Sequence, residues 1–583
     1  MRMTTDYDLI VVGSGAAGLA TAITAGHFGL SVLILEKADV IGGTTALSGG
    51  WLWVPGNELA QDAGVNDSLA AARTYIANEA GPHFDGERVD SFLAHAGEMV
   101  SFFRQHTAVD FNFGNNYPDY HPDHPGGAQQ GRSIHPKPFD GAKLGRALSQ
   151  LARPMPESTF MGMGLNSGPD LKHFLNATRS LRSAAFVMGK IADHMFSILR
   201  HGRGTRLVNG NALAARLFRT VLDMQIPYRT STRVVDLVRE DNTVVGVVVD
   251  ANGERERILG KHGVVLAAGG FPQNSELKAK YYGHPTERNH HVSLAPFANT
   301  GDGTSMAISH GARINENLSS SAAWAPVSII KRPDGSTGRF FHLIDRAKPG
   351  VLAVTVDGER FVNESTNYHD FVRALIDACD GRQDVQCFMM CDHRALRRYG
   401  LGAVRPSPLG YKSFIRSGYL LRGSTVEQLA RCAGIQPGRL EATVARFNAD
   451  AREGRDALGK GSTSYQRLLG DSDFTPNPCV GEMKDGPFYA VKVLPGDLGT
   501  YVGIDTDSET RVLDIHGQPI PNLYAVGNDS ASIFGGAYPG AGATLGPAMT
   551  FGYLCGKQVA RAASSEQGAT SSKAAISSMT TFA

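Results

Sequence analysis

The sequence predicts an α/β protein built on a Rossmann-like sheet that is interrupted by a mixed α+β stretch. Three observations predict it. Residues 7–36 read strand, glycine turn, helix, strand within about 30 residues. A second apolar run ending in glycines, HGVVLAAGGF, follows at 262–271. The chain then leaves this pattern from about 278 to 480 and returns to it with NLYAVGN at 522–528.

Taken in order, YDLIVV (7–12) is a short apolar run stopped by glycine, as in a strand buried on both faces. The Ala-rich stretch 15–29 is a helix, and SVLILE (31–36) is the second strand. Residues 42–57, rich in Gly, Ser and Thr, predict a long loop. Apolar spacing of three and four predicts helices over 58–110, near 172–201 and at 210–224. The segment 111–170, with NYPDYHPDHPGG, reads as loop. VVDLVRE and TVVGVVVDANGERERI form a hairpin. Between 278 and 480, VLAVTV and RFVN are strand candidates, with helices near 370–379, 426–434 and 439–453. PFYAVKVL and NLYAVGN are strands, and a helix starts near 545. The small, polar last stretch has little to bury and is expected to lack structure. No internal repeat is visible.

Composition narrows the function. The 583 residues carry 68 Gly, and 42% are apolar, enough for a large core. Charges balance at 57 Lys+Arg against 56 Asp+Glu, which gives no global case for a nucleic-acid or anionic-membrane partner. There is no apolar stretch of the ~18 or more residues a membrane span needs, nor a signal-peptide pattern at the start. Six scattered Cys make no disulfide framework, and Cys387 and Cys391 lack the partners of a zinc site, so no metal is expected. A cytoplasmic location follows as the simplest expectation.

Gly13-Ser14-Gly15-Ala16-Ala17-Gly18 is a G-x-G-x-x-G between strand and helix, with Glu36 closing the next strand. The first glycine turns the chain, the second lets backbone approach a pyrophosphate, and the third lets helix and strand pack. The phosphate meets unpaired N–H groups at the positive end of the helix. A carboxylate at 36 suits a ribose diol. The unit binds an adenine dinucleotide. FAD fits better than NAD, because a hydroxyl-rich loop follows, with Thr44, Thr45 and Ser48 placed to meet a pyrophosphate–ribityl chain. A glycine-rich loop at 535–546 leading into a helix suits the polar edge of a flavin.

Residues 7–50, GVVLAAGGF, NTGDGTSMA (299–307), GERFVNES (358–365) and NLYAVGN resemble the fumarate reductase/succinate dehydrogenase flavoproteins. Within that superfamily, NNYPDYHPDHPGG (115–127), ESTNYHDF (364–371), YAVKVLPGDLGTYVGI (489–504) and GGAYPGAGATLGPAMTFGYL (535–554) resemble the 3-ketosteroid Δ1-dehydrogenases. The resemblance implies a non-covalent FAD and a Rossmann-like FAD-binding domain, 1–277 with 481–563. It also implies an inserted α+β catalytic domain over 278–480, leaving 564–583 as a tail. It assigns to the cofactor Gly13 to Gly18, Glu36, Lys37, Gly43, Thr44, Thr45, Ser48, Gly49, Gly50, Val235, Ala268, Gly269, Asp302, Gly527, Asn528, Gly542, Thr544 and Leu545.

For the reaction it implies that Tyr538 and the backbone N–H of Gly542 polarise the C3 carbonyl. Tyr368 takes a C2 proton, Tyr120 assists it, and the C1 hydride goes to FAD N5. Tyr117 stands three residues from Tyr120 and is an alternative assistant. His121, His124 and His369 read as polar neighbours. Asp345-Arg346 and Glu359-Arg360 read as structural pairs, and Trp51, Trp53, Phe297 and Trp324 are candidates for an apolar wall. The implied partners are a small cyclic ketone, above all a 3-ketosteroid, and an external electron acceptor, since no haem or iron–sulfur motif is present. Other readings are a Δ4-(5α)-3-ketosteroid or 4-oxocyclohexanecarboxylate-like desaturase, a fumarate reductase-like flavoenzyme, and a non-catalytic flavin-binding redox partner. A tyrosine stands where dicarboxylate enzymes need cations, which favours a neutral ketone.

Overall fold

A computed structural model describes residues 3–580 apart from 167–172, 175–176, 178–179, 252, 288–289, 333 and 407–409. Its first sheet has six strands in the order Tyr228–Arg229, Val32–Leu35, Leu9–Val12, Val264–Leu266, Pro519–Ala525, Arg511–Leu513. All neighbours are parallel except the last pair. The predicted strands at 9–12, 32–35 and 264–266 are buried throughout. Their side chains alternate between two cores. Leu9, Val11 and Ile34 pack under the helices Ala16–His27 and Leu545–Thr580. Ile10, Val12, Leu33 and Leu35 face Val234, Val247, Val249 and Ile258 of a second, smaller sheet. Apolar runs, not alternating ones, are what such two-sided burial requires.

The interruption forms its own seven-stranded sheet. Phe488–Thr500 is its central strand and pairs with Ala322–Lys331, Cys387–Cys391, Val292–Ser293 and Leu421–Gly423. Thr337–Phe341 and Val351–Thr355 complete it. That central strand lies beyond 480, so the sheet of the inserted segment extends about twenty residues past the boundary read from the sequence. The apolar run 488–494 gives no sign of which sheet it joins.

Several elements differ from the sequence reading. The 42–57 loop contains a short helix, Gly43–Leu47, and a strand, Leu52–Trp53, that pairs with Ser133–Pro136. The stretch 58–110 is three helices, Glu58–Asp62, Leu69–Ala80 and Gly86–His106, followed by the start of a loop. RFVN is no strand, because Arg360 turns to the Glu364 carboxylate at 2.6 Å and to Asp456. The helix expected near 172–201 is seen as Leu181–His201, and part of its predicted start lies outside the described residues. The last helix runs on to Thr580, over most of the stretch expected to lack structure; beyond Pro547 in its first turn its Ala-rich sequence contains no proline.

The glycine turn before the first helix is close-packed. A Cβ on Gly18 would lie 2.1 Å from the Gly13 carbonyl oxygen. Gly18→Ala is therefore expected to cost at least the about 1–3 kcal/mol of ordinary overpacking. The denaturation midpoint measures it, and an unchanged midpoint would show that the helix can move away from the strand.

Candidate active site

The strand-to-helix turn and the two loops beside it make a polar cradle. The Ser14 N–H donates to Glu36 at 3.0 Å, and the Ser14 hydroxyl to the same oxygen at 2.5 Å. Thr45 Oγ1 accepts the Ala16 N–H at 2.9 Å, tying the short helix Gly43–Leu47 to the start of the first long helix. Asn299 Nδ2 donates to Thr44 Oγ1 at 3.2 Å. The space above Gly15 stays open, since a Cβ there would meet only Thr45 Oγ1, at 3.8 Å. A phosphate fits above exposed helix N–H groups at such a place. On the far side, Asp529 accepts the Ala268 N–H at 2.5 Å and the Gly270 N–H at 3.0 Å. Burial pushes its carboxyl up to about 6.

Other residues assigned to the cofactor are engaged with protein. Lys37 pairs with Asp302 at 2.9 Å, and Asp302 also binds Arg233 at 3.0 Å. The Ser48 hydroxyl donates to the Thr45 carbonyl at 2.8 Å and accepts the Gly50 N–H at 3.1 Å. Gly49 lies between these two turns. Val235 sits at a shift in strand register, so its backbone stands outside the ladder. Gly269 packs against Asn299, Gly527 against Ala17, and the Asn528 carbonyl accepts from Thr500 at 3.3 Å. Leu545 opens the last helix.

Beyond the cradle, the structure collects the predicted tyrosines. The Tyr120 and Tyr368 hydroxyls are 3.3 Å apart. The Tyr538 ring centroid is 5.1 Å from that of Tyr368 and 5.5 Å from that of Tyr120. Tyr117 stacks on Trp51 instead, 4.6 Å away, so geometry brings Tyr120 and not Tyr117 to Tyr368. Gly542 holds a positive φ of 97°, with its Cα against the Trp51 carbonyl, where a Cβ would sit 2.4 Å from the oxygen. Its carbonyl accepts the Trp53 N–H at 3.1 Å, while its own N–H has no acceptor among the described residues.

Burial raises the phenols of Tyr120, Tyr368 and Tyr538 above their ordinary value. The Tyr120 hydrogen bond works against this at Tyr368, and hydrogen bonds from Tyr368 and Thr544 do so at Tyr538. Tyr368 begins the helix Tyr368–Ala378, whose positive end favours an anion there. Three buried polar atoms around the cluster, Tyr465 Oη, Tyr501 Oη and His369 Nε2, have no hydrogen-bond partner among the described residues. In a folded interior such atoms are ordinarily hydrogen-bonded. Their state marks a place made for a polar ligand.

The loop bearing Tyr120 is fixed by what surrounds it. The Pro539 carbonyl accepts the Tyr120 N–H at 2.9 Å and the Tyr75 hydroxyl at 2.7 Å. His121 joins Glu79 at 2.6 Å through one ring nitrogen and Asp370 at 2.8 Å through the other. It thereby ties the Tyr120 loop to the helix that Tyr368 begins. These carboxylates raise its pKa to about 10 against its desolvation, so the ring is an imidazolium at neutral pH. Glu79, His121 and His124 have ligand atoms within 4.8 Å of one another, an arrangement that the hydrogen bonds to Glu79 account for. Asp119 accepts from the Trp53 indole and from Arg132, each at 2.8 Å, and burial lifts it to about 6.

Sequence reading missed Tyr465, Asp529, Asp119 and Arg346. Only Asp529 carried a signal, directly after the glycine-rich NLYAVGN. Arg346 is no pair with Asp345. It is fully buried, donates to the carbonyls of His342, Leu343, Glu364 and Thr366, and its charge bears on Tyr465 and Tyr120. Arg360 likewise pairs with Glu364 and Asp456, not Glu359. His369 is a buried helix residue whose Nδ1 accepts the Trp324 N–H at 3.1 Å. Of the proposed apolar wall, Trp51 borders the tyrosines, Trp53 is core, Trp324 lies in the second core and Phe297 is exposed.

Comparison with known proteins identifies the family. The FAD binding domain family model matches residues 8–545. A 4-oxocyclohex-2-ene-1-carboxylate 5-dehydrogenase of Sinomonas cyclohexanicum is 38% identical over 96% of this chain and 95% of its own. A 3-oxosteroid 1-dehydrogenase of Mycobacterium tuberculosis is 36% identical over 95% of this chain and 98% of its own. The crystal structure of the 3-ketosteroid Δ1-dehydrogenase of Sterolibacterium denitrificans with 1,4-androstadiene-3,17-dione superposes with a TM-score of 0.89. It is 33% identical, and the match covers 96% of this chain and all of that one.

The His121 bridge gives a pH signature. Its folded pKa, about 10, lies above the ordinary 6.5. Its contribution to stability is therefore complete below the ordinary value and is lost as pH rises through the folded one. His121→Gln should lower the melting temperature most below about pH 6.5, and the gap from the parent should close toward pH 10. A gap that stays constant with pH would show that the ring is not charged.

Proposed function

The chain belongs to the FAD binding domain family, and we propose that it is an FAD-dependent dehydrogenase that desaturates the C1–C2 bond of a 3-ketosteroid. The observation that carries the reading is the group of three buried tyrosines, two with touching hydroxyls, beside an unpaired Gly542 N–H. Core tyrosines satisfy their hydroxyls; these face a place where polar atoms lack partners.

Bound FAD supplies the hydride acceptor at C1. The chain does the rest. Tyr538 Oη and the Gly542 N–H donate to the C3 carbonyl, which lowers the cost of negative charge there as the C2 proton leaves. Tyr368 Oη takes that proton. A buried neutral phenol is a weak base, so Tyr368 acts as the phenolate, its own proton released to solvent beforehand, and Tyr120 donates a hydrogen bond to it at 3.3 Å. One proton from C2 and one hydride from C1 make up the two hydrogens lost. The electron pair then passes to an external acceptor.

Ser14, Glu36, Thr44, Thr45 and Asp529 line a cradle of hydrogen-bonding groups, which suits a flavin held non-covalently. Acid precipitation should leave the yellow colour in the supernatant. We read 278–480 as inserted into the flavin-binding unit, with its sheet taking in the strand Phe488–Thr500 and with residues 299–312 packing back on that unit. Six free cysteines accord with a cytoplasmic setting.

A second reading rests on the relative that acts on 4-oxocyclohex-2-ene-1-carboxylate. A carboxylate needs a cation. The cation whose charge reaches the tyrosines, Arg346, is spent on four backbone carbonyls, which favours the neutral ketone.

Anaerobic mixing with androst-4-ene-3,17-dione should bleach the flavin and give a product lighter by two hydrogens. Bleaching by the cyclohexenone carboxylate alone would move the assignment to the second reading. Tyr538→Phe should lower kcat/KM by about 10²-fold or more through loss of one carbonyl donor; turnover near the parent's would remove that role. Tyr368→Phe should retain flavin and fail to reduce it, whereas reduction at the parent rate would exclude it as base.

A further inference from the structure

Arg88 is a buried cation without a carboxylate in contact. It stands in the first turn of the helix Gly86–His106 and is 4% exposed. One terminal nitrogen, Nη2, donates to Ser530 Oγ at 2.9 Å and to the Ala531 carbonyl at 2.8 Å. Nε and Nη1 are shut off from water and have no hydrogen-bond partner among the described residues. Desolvation opposes the charge, and Asp85, Asp505 and Asp507 offset that only through space. All three are committed elsewhere. Asp85 accepts the Arg88 backbone N–H at 3.1 Å, Asp505 pairs with Arg313 at 2.6 Å, and Asp507 pairs with Arg511 at 2.6 Å. A buried guanidinium is ordinarily paired with an anion and fully hydrogen-bonded. Here neither holds.

The space beside it suits a small guest. Arg88 lines a cavity of about 40 Å³ together with Thr506, Thr510 and Ser530. One water takes about 30 Å³ of the liquid, so the cavity has room for a single particle of that size. Thr510 Oγ1 is another buried atom without a hydrogen-bond partner among the described residues. The Cys555 thiol feels that hydroxyl, and a thiol is a weak partner. Thr506 Oγ1 lies 3.1 Å from Ser530 Oγ, which already accepts from Arg88. The groups left over are therefore donors: Nε, Nη1 and the Thr510 hydroxyl. A water would need acceptors for its own two hydrogens as well. A monovalent anion needs donors alone, and it also cancels the charge.

We propose that Arg88 and Thr510 hold a small monovalent anion, chloride or another halide, in this cavity. The ion joins three segments: the first turn of the helix Gly86–His106, the turn at 506–510, and the Ser530–Ala531 stretch that follows Asp529 of the cradle. It steadies the cradle from behind. The same cavity reaches Gly527, Asn528 and Thr544, so the edge of the bound flavin is the rival occupant. The site does not depend on the ketosteroid reading.

The holoenzyme is melted in sodium chloride and in sodium gluconate, whose anion is too large for the cavity, at equal ionic strength. The melting temperature should be about 2 °C or more higher in chloride and should level off as chloride is raised, with bromide acting as chloride does. Arg88→Met should abolish the difference between the salts, whatever it does to stability itself. Thr510→Val should keep its flavin and need about tenfold more chloride for half the effect, through loss of one donor to a charged group. Crystals of the holoenzyme grown in bromide should show an anomalous peak within hydrogen-bonding distance of Arg88. Equal melting of the parent in the two salts would overturn the proposal, as would a difference that persists in Arg88→Met. So would a water, or the flavin's own edge, found against Arg88 in place of bromide.

Discussion

The Pro539 carbonyl is the fixed point of the site. It accepts one hydrogen bond from the backbone of the Tyr120 loop and another from Tyr75 on the helix Leu69–Ala80, 2.9 and 2.7 Å away. Pro539 directly follows Tyr538, so segments more than 400 residues apart in sequence are held to one peptide unit. The prolyl ring holds its own φ fixed and has no N–H to compete for partners. Tyr538 and Tyr120 inherit their positions from this point. Tyr368 comes to them from the other sheet, through His121 and Asp370.

That arrangement explains the division of the chain. The six-stranded sheet carries the glycine turn and Glu36; the seven-stranded sheet and its helices carry Tyr368 and Tyr465. Neither makes a site alone. Strand Phe488–Thr500 runs through the middle of the second sheet and delivers the chain back to Asn528 and Asp529 of the first. The bridge between the units is charged at His121 and hydrogen-bonded at Pro539, and both are largely shielded from water, where such contacts are stronger than at the surface.

The first unit was legible because its signals are local. A G-x-G-x-x-G between apolar runs needs only its neighbours to be read, and the strands at 9–12, 32–35 and 264–266 fall where the pattern puts them. Tyr120, Tyr368 and Tyr538 were legible only through resemblance. Nothing in their local sequence says that they meet, since each contact spans more than 150 residues. The partners that sequence reading missed are nearer in sequence, yet their contacts still join separate segments. Asp119, Arg132 and Trp53 form one buried network from separate loops, and Arg346 reads as half of an Asp-Arg pair until its four carbonyl acceptors are seen. The strand Phe488–Thr500 joins the second sheet for the same reason: an apolar strand does not announce which sheet will take it.

On the proposed mechanism, burial serves the chemistry by matching two weak acids. A ketone gives up its α-proton reluctantly, and the buried phenols of Tyr368 and Tyr120 give up theirs reluctantly too, their pKa values raised by desolvation. A strong base in this place would be a carboxylate or an imidazole, and the nearest of each are already committed. Asp370 is held down to about 2 by His121, and His369 is held to about 4, neutral, by burial. Lowering the cost of the enolate with two donors brings the substrate's acidity toward that of the phenols, and proton transfer is most efficient when donor and acceptor are matched. Arg346 adds a positive field on the Tyr120 and Tyr465 side without offering a donor of its own to substrate. A dry pocket of hydroxyls suits a neutral ketone on these grounds, because its only strong polar demand falls on one carbonyl oxygen.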